Sequence, residues 1–501
     1  MGKLKQLASQ TVVYGLSTIV GRILNYFLVP LYTRCFATEE YGVVVDMYTY
    51  VSFLMILLTY GMETGFFNFT KTENDPDRVF STASTSLFTT SAVFIILGIL
   101  FSTQIAEALD YIGHADYVIY IILILGLDAF TSIPFARLRQ QNKAMKFAIF
   151  KLINIFLQIG LNLFFILWLP KLADSYAFFQ SIYNPEIGVG FVFIANLAAS
   201  FINLLFFVPE YLRLKFKFDF DLLRRMLIYS LPLIISGLAG MVNEFFDRLA
   251  IKFFYEVPAD VADSTSYIRS ILGIYGANTK IAVLMTLFIQ CFRYAADPFF
   301  FSQKGTPGFN PMFALVNKYL LVFGLFIFLA IMGYIDIIKH FISANYWEAL
   351  NIVPLLLLGH LFVGLVYLQS FWYKLSNKTH YGIYIFVIGS VITILMDVLF
   401  VPVYGYIVCA WANVICYAVM LVITFLWGRK YIPCDYDFKG IALFSAMAAV
   451  CYIAMQFTDS LGLILKLSVN TLILCLFVYI VFKTEKLYEP AKKLINKLLK
   501  R

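Results

Sequence analysis

The chain is a succession of apolar stretches of about twenty residues, and no polar stretch between them is long enough to fold by itself. Segments of spanning length fall near 11–33, 43–68, 80–102, 117–136, 147–169, 188–208, 227–251, 267–292, 315–335, 351–373, 381–402, 407–427, 440–458 and 463–482. About twenty residues of α-helix cross the roughly 30 Å hydrocarbon layer of a bilayer. Strands would need the dyad alternation of a closed barrel to satisfy their backbones there, and these runs do not alternate. Composition agrees: 61% of residues are hydrophobic and 14% charged, against about 25% charged in a soluble domain. The expected fold class is all-α, polytopic transmembrane, with about fourteen helices. The lack of a long polar stretch argues against an enzyme with a cytoplasmic catalytic module.

The first apolar segment is interrupted by Arg22 and lacks a small-x-small cleavage site, so it reads as a retained span. A net charge of +8 would suit nucleic acid, but its distribution fits membrane topology instead. With the N-terminus in the cytoplasm and the spans alternating, most of the 38 basic residues fall in cytoplasmic connections. Lys71, Arg78, Arg137, Arg139, Lys217, Arg225, Lys374 and Arg429 are among them, and the tail adds more. The opposite connections hold few, such as Arg34, Lys252 and Arg269. The positive-inside rule therefore predicts cytoplasmic N- and C-termini and no nucleic-acid partner.

The basic connection 209–225 follows six spans and precedes six more. This predicts an N-terminal six-helix lobe over 1–215 and a C-terminal six-helix lobe over 216–428. Two additional transmembrane helices and a basic amphipathic tail fill 429–501. A Tyr-Gly pair recurs at Tyr41-Gly42 and Tyr275-Gly276; read as a repeat, it makes Asp46 and Lys280 equivalent. After Leu487, apolar pairs alternate with basic residues at helical spacing, which predicts a surface helix on anionic lipid.

No catalytic constellation appears. The four histidines are far apart, and H-E-x-x-H, G-x-S-x-G and phosphate-cradling glycine loops are missing. The seven cysteines are scattered without a C-x-x-C and read as packing residues. The expectation is a protein that is not an enzyme and holds neither metal nor cofactor.

The informative residues are charges inside spans, each costing on the order of 2.5–3.5 kcal/mol at the bilayer centre. Thr18, Arg22 and Asn25 share a face of the first span. Ser236, Gly240, Asn243 and Asp247 share a face of the seventh, where Glu244 and Arg248 are spaced for an i,i+4 ion pair. Lys280 lies between Arg269 and Arg293 in the eighth, and Asp46, Glu63 and Asp128 add carboxylates elsewhere. Two readings stay open: mutually neutralised helix contacts, or a hydrated cationic cavity that attracts phosphate. Arg22 and Lys280 have no acidic residue one turn away and fit the cavity; Glu244–Arg248 fits the neutralised contact. The substrate-facing candidates are Arg22, Asn25, Asn243, Arg248 and Lys280. Asp46, Glu63, Asp128, Glu244 and Asp247 are candidates for ion coupling, by proton or sodium, or for a structural role.

Gly21-Arg-Ile-Leu-Asn-Tyr-Phe-Leu-Val-Pro30-Leu-Tyr-Thr-Arg34, then Glu39-Glu40-Tyr41-Gly42, resembles the opening of the Wzx-type polysaccharide and oligosaccharide flippases. Tyr229-Ser-Leu-Pro232 through Asp247-Arg248 is similar to that family's seventh span. Ile274-Tyr275-Gly276-Ala277-Asn-Thr-Lys280 and Asp297-Pro298 are similar to its eighth. The superfamily also holds multidrug exporters and the peptidoglycan lipid flippase. The resemblance implies two six-helix lobes around a V-shaped cavity plus a helix pair. It also implies alternating-access transport of undecaprenyl-pyrophosphate-linked glycan across the bacterial inner membrane, for O-antigen (lipopolysaccharide), capsule or exopolysaccharide synthesis. The implied partners are that glycolipid, membrane lipids and other glycan-assembly proteins. In the peptidoglycan flippase, arginines of the first, second and eighth spans line the cavity; Arg22 matches by span, Lys280 stands in by analogy, and the second span here carries Asp46 and Glu63 instead. A cation-coupled multidrug exporter of the same superfamily is the nearest alternative. A membrane-embedded glycan polymerase or glycosyltransferase is a more distant one, and the short connections leave it little room.

Overall fold

A computed structural model describes residue 15 and residues 19–181, 183–212, 217–303 and 306–485. The expected tail helix lies outside the described residues. Within them the chain is helical, with no strand. Thirteen helices are long and apolar enough to cross a membrane. They are α2 (Thr38–Thr72), α3 (Pro76–Leu100), α4 (Ala115–Gln140), α5 (Ala144–Ser175), α6 (Gly190–Leu212), α7 (Phe220–Phe254) and α8 (Ser264–Gln303). After these come α9 (Phe309–Gly333), α10 (Ala344–Leu375), α11 (His380–Tyr404), α12 (Ile407–Gly428), α13 (Phe438–Ser460) and α14 (Leu463–Thr484). Ahead of them, residues 19–26 and Leu28–Cys35 form α1, the described part of the first expected span.

Local chemistry sets the helix ends. The Asp75 side chain accepts from the backbone N–H groups of Asp77 and Arg78 at 3.1 and 3.2 Å, with Pro76 as the first residue of α3. Asp219 caps α7 through the Leu222 N–H, and Asp437 caps α13 through that of Gly440. Inside α2, Tyr60 and Gly61 both take positive φ, 35° and 67°, which ends one helical run and begins another. In α5 a π-helical turn covers Phe164–Trp168.

Helices α2 to α6 pack together through the α3–α4, α4–α6 and α5–α6 contacts, and α8 to α12 pack with α7 against α11. The outer faces carry large exposed apolar side chains such as Leu100 (67% exposed) and Ile464 (84%), the surface that lipid would cover. The two groups meet most extensively along α2 and α8. Glycine makes that approach possible: a Cβ on Gly42 would strike the carbonyl oxygen of Arg269, and one on Gly273 would strike that of Thr38.

Both ends of the bundle are stapled by charge. At the end holding the starts of α2 and α8, Glu39 pairs with Arg269, and Asp46 with Lys252 at 2.6 Å. At the other end the basic residues collect: Arg137–Asp77 (2.6 Å), Lys217–Asp75 (2.7 Å), Arg225–Glu73 (2.7 Å), Lys146–Glu210 (2.7 Å), Arg78–Asp219 and Arg139–Glu63. The hydrogen bond from Lys217 holds the Asp75 carboxyl below the ordinary carboxylate range. The pair α13–α14 is pinned to α9 at both ends. Lys318 reaches Asp437 (2.7 Å) and Glu485 at one, while Lys466 reaches Asp336 and Asp459 (2.6 Å) at the other.

Candidate functional site

Bounded by α1 and the second group of helices lies a cavity of about 520 Å³, walled by α1, α7, α8, α10 and α12. Its charged lining is Arg22 from α1, Glu244, Asp247 and Arg248 from α7, and Lys280 and Arg293 from α8. Among the described residues four cationic side chains thus face two carboxylates, a net positive space within helices that otherwise present apolar surface. Lys280 and Arg293 are thirteen residues apart, about 20 Å along α8. The cavity therefore runs from the middle of the bundle toward its basic end, while the α2–α8 contact closes the opposite end.

Each cation is held differently. The Arg248 guanidinium is buried and fixed: Nη1 lies 2.8 Å from Asp247 Oδ1 and donates to the Glu244 carbonyl at 3.0 Å. Asp247 in turn accepts from the Tyr275 hydroxyl at 2.7 Å. The expected i,i+4 ion pair is thus replaced, because Arg248 turns to the adjacent Asp247 and takes only the backbone of Glu244. The Glu244 carboxylate faces the cavity, within electrostatic reach of Arg248, Arg22 and Lys280. Neither Arg22 nor Lys280 forms an ion pair among the described residues. Arg293 stacks over the Tyr367 ring at 4.1 Å.

The other candidates are dispersed. Asn25 lines the cavity beside Arg22. Asn243 is buried behind its wall, donating to the Phe386 carbonyl at 3.3 Å. Asp46 is sealed near the α2–α8 end with Lys252 and Tyr111. Glu63 pairs with Arg139 at the basic end, and Asp128 lies within α4, next to Ser200 and Lys151. None of Asp46, Glu63 or Asp128 lines the cavity, so the second span contributes no charge to it.

Sequence reading missed three features. Arg293 belongs to the cavity because α8 continues to Gln303 instead of ending near 292; the 280/283/287/290 spacing continued to 293 would have found it. His360 also lines the wall, with Nδ1 3.1 Å from both Thr286 Oγ1 and the Ala282 carbonyl. Asp397 of α11 is the third. Both its carboxylate oxygens are buried without a conventional hydrogen-bond donor, beside the Cys409 thiol, and the Asn243 and Thr393 side-chain oxygens are likewise buried and unmatched. A carboxylate inside an apolar span was the available signal.

The described residues thus form a two-group helical bundle with a cationic cavity, closed at one end by a glycine seam. Residues 7–303 match the polysaccharide biosynthesis protein family, and the chain belongs to that family. Among solved structures it is similar to "Lipid II flippase MurJ, inward closed conformation", with a TM-score of 0.69, 15% identity, and coverage of 94% of this chain and 99% of that one. It is also similar to an inward-facing multidrug resistance MATE family transporter of the MOP superfamily, with a TM-score of 0.60, 13% identity, and coverage of 84% and 94%. At these identities the likeness concerns the fold alone. Comparison with curated proteins gives no match.

Proposed function

We propose that this chain is a flippase that moves polyprenyl-diphosphate-linked oligosaccharide repeat units across the bacterial inner membrane by alternating access, supplying O-antigen, capsule or exopolysaccharide synthesis. One observation carries the reading: Arg22 and the half-buried Lys280 face a cavity inside the bundle, within membrane-spanning segments, without an ion-pair partner among the described residues. Unpaired cations at that depth are tolerable only with water or an anion beside them. A diphosphate supplies two closely spaced charges, and in a low-dielectric cavity each attraction is stronger than in water. Membership of a polysaccharide biosynthesis family supports a glycan as the cargo.

In this reading the basic end faces the cytoplasm by the positive-inside rule, so both termini are cytoplasmic and the cavity is loaded from inside. Lipid flanks the cargo's tail, and the enzymes that build and polymerise the glycan are its neighbours in the pathway. The chain needs no bond-making chemistry of its own. Coupling to a proton or a sodium ion falls to Asp397, because a buried carboxylate beside nothing stronger than the Cys409 thiol, and without an ion-pair partner among the described residues, is costly unless it binds one or the other.

The carboxylates Glu244 and Asp247 in the cavity favour a second reading, export of a cationic drug. The four cations beside them argue against it. The test is deletion of the gene in its host. Lipid-linked glycan should accumulate on the inner leaflet and clear when the wild-type gene returns. Arg22→Ala and Lys280→Ala should each cut clearance by at least about tenfold, the worth of one charged hydrogen bond, with normal insertion in the membrane. Full clearance by both variants, or no accumulation on deletion, overturns the reading. Rescue of a pump-deficient host from cationic drugs favours the exporter.

A further inference from the structure

A second chamber of about 210 Å³ opens off the cavity and shares Asn25, Arg248 and Lys280 with it. Its chemistry is different. Beyond that shared wall it is lined by Tyr48, Thr49 and Ser52 of α2 and Gln158 of α5, with apolar side chains such as Val44 and Leu28 between them, and no carboxylate lines it among the described residues. We propose that this chamber is the subsite for the first sugar of the cargo, the residue joined directly to the diphosphate; the inference rests on the flippase reading above.

The hydroxyl and amide groups are prepared for neutral ligand hydroxyls. Thr49 and Ser52 donate to the carbonyls of Val45 and Tyr48 on their own helix at 2.8 and 2.9 Å, which leaves their lone pairs to accept. Tyr48 accepts from Asn196 Nδ2 at 2.8 Å, so its own proton points elsewhere. The Gln158 carboxamide makes no side-chain hydrogen bond among the described residues. A pyranose has apolar C–H faces and a polar rim, and a largely apolar pocket with a few placed polar groups matches both. The volume takes one ring and not an oligosaccharide.

Connectivity supplies the second argument. A diphosphate held by Lys280, on the wall common to both chambers, and by Arg22, on the main-cavity side, has its sugar one bond away. The main cavity, wider and open toward the basic end, is left for the outer sugars. The chamber is backed by Tyr41, Val45 and Gly276, which belong to the α2–α8 contact. A first sugar therefore touches both helices that must part for release, which makes it the ring whose identity the protein can read most strictly.

The test uses the full chain in nanodiscs and two kinds of probe: bare polyprenyl diphosphate, and the same lipid carrying one sugar from a panel of hexose, N-acetylhexosamine and hexuronic acid. One sugar should strengthen binding about tenfold over the bare lipid, the worth of one or two hydrogen bonds. Gln158→Leu, and separately Tyr48→Phe, should bring that conjugate back toward the affinity of the bare lipid. Bare-lipid binding on the same preparations reports whether each variant is folded. If no sugar in the panel adds affinity, or if both variants keep the gain, the subsite is overturned while the cationic site stands. If the wild type binds neither the bare lipid nor any conjugate, the flippase reading itself fails.

Discussion

Lys252 and Asp46 show how a single buried pair can hold two groups of helices together. Lys252 Nζ lies 2.6 Å from Asp46 Oδ2 and 3.0 Å from the Leu109 carbonyl, while the Tyr111 hydroxyl donates to the same carboxylate oxygen at 2.7 Å. Asp46 is 1% exposed, so removing its cation strands a charge away from water. Breaking such a pair costs about 3–5 kcal/mol, whereas replacing both partners with neutral groups is often tolerated. Lys252→Met should therefore lower the melting temperature of the purified protein sharply, and Asp46→Asn with Lys252→Met should recover most of it; equal losses in the single and double variants would show that the pair is not what stabilises this end. The sequence made Asp46 visible as a charge in an apolar run but not its partner, which is 206 residues away. Arg22 and Lys280 were legible for the opposite reason: a charge without a local counter-ion stands out unaided. Asp397 obeys the same rule, and Arg293 joins the cavity because α8 runs eleven residues beyond the expected end near 292.

At the scale of elements, spans were readable because length and hydropathy fix them, and all thirteen counted helices fall on expected segments. The breaks within them were not. Tyr60 carries a positive φ that no propensity announces, and the π-helical turn at Phe164–Trp168 is followed by Pro170, which has no N–H to give the Ile166 carbonyl, but a proline near the end of a span does not announce a π turn. The recurring Tyr-Gly pair does acquire a physical meaning. Gly42 and Gly276 sit on α2 and α8, the two helices that close one end of the cavity, each against the other helix. Thr38 and Ser270 meet there, hydroxyl oxygens 2.5 Å apart. Cysteines at both positions, in a chain with Cys35→Ala to remove the exposed neighbouring thiol, should oxidise to a disulfide. If α2 and α8 must separate to release cargo, oxidation should stop export and reduction should restore it. Undiminished export by the crosslinked protein would mean that this seam never opens.

For the whole molecule, the distribution of fixed contacts decides which parts can move as one. Ionic clamps at both ends bind α13 and α14 to α9, so the appended pair travels with the second group of helices. The first group has its own staples at the basic end, and α7 touches both groups, packing on α11 and on α2. Motion is then left to the cavity walls, and the state described here has its seam closed and its cavity directed to the basic end. Gln290 lines the cavity between Lys280 and Arg293 and reports which side it faces. In a cysteine-free background, needed because Cys35, Cys291 and Cys475 are exposed, Gln290→Cys should react with a membrane-impermeant maleimide in inside-out vesicles and be shielded in right-side-out ones. Binding of bare polyprenyl diphosphate at Arg22 and Lys280 should slow that reaction by filling the same space. Labelling only from the outside would invert the orientation, placing the basic end on the outer face against the charge rule on which the direction of transport depends.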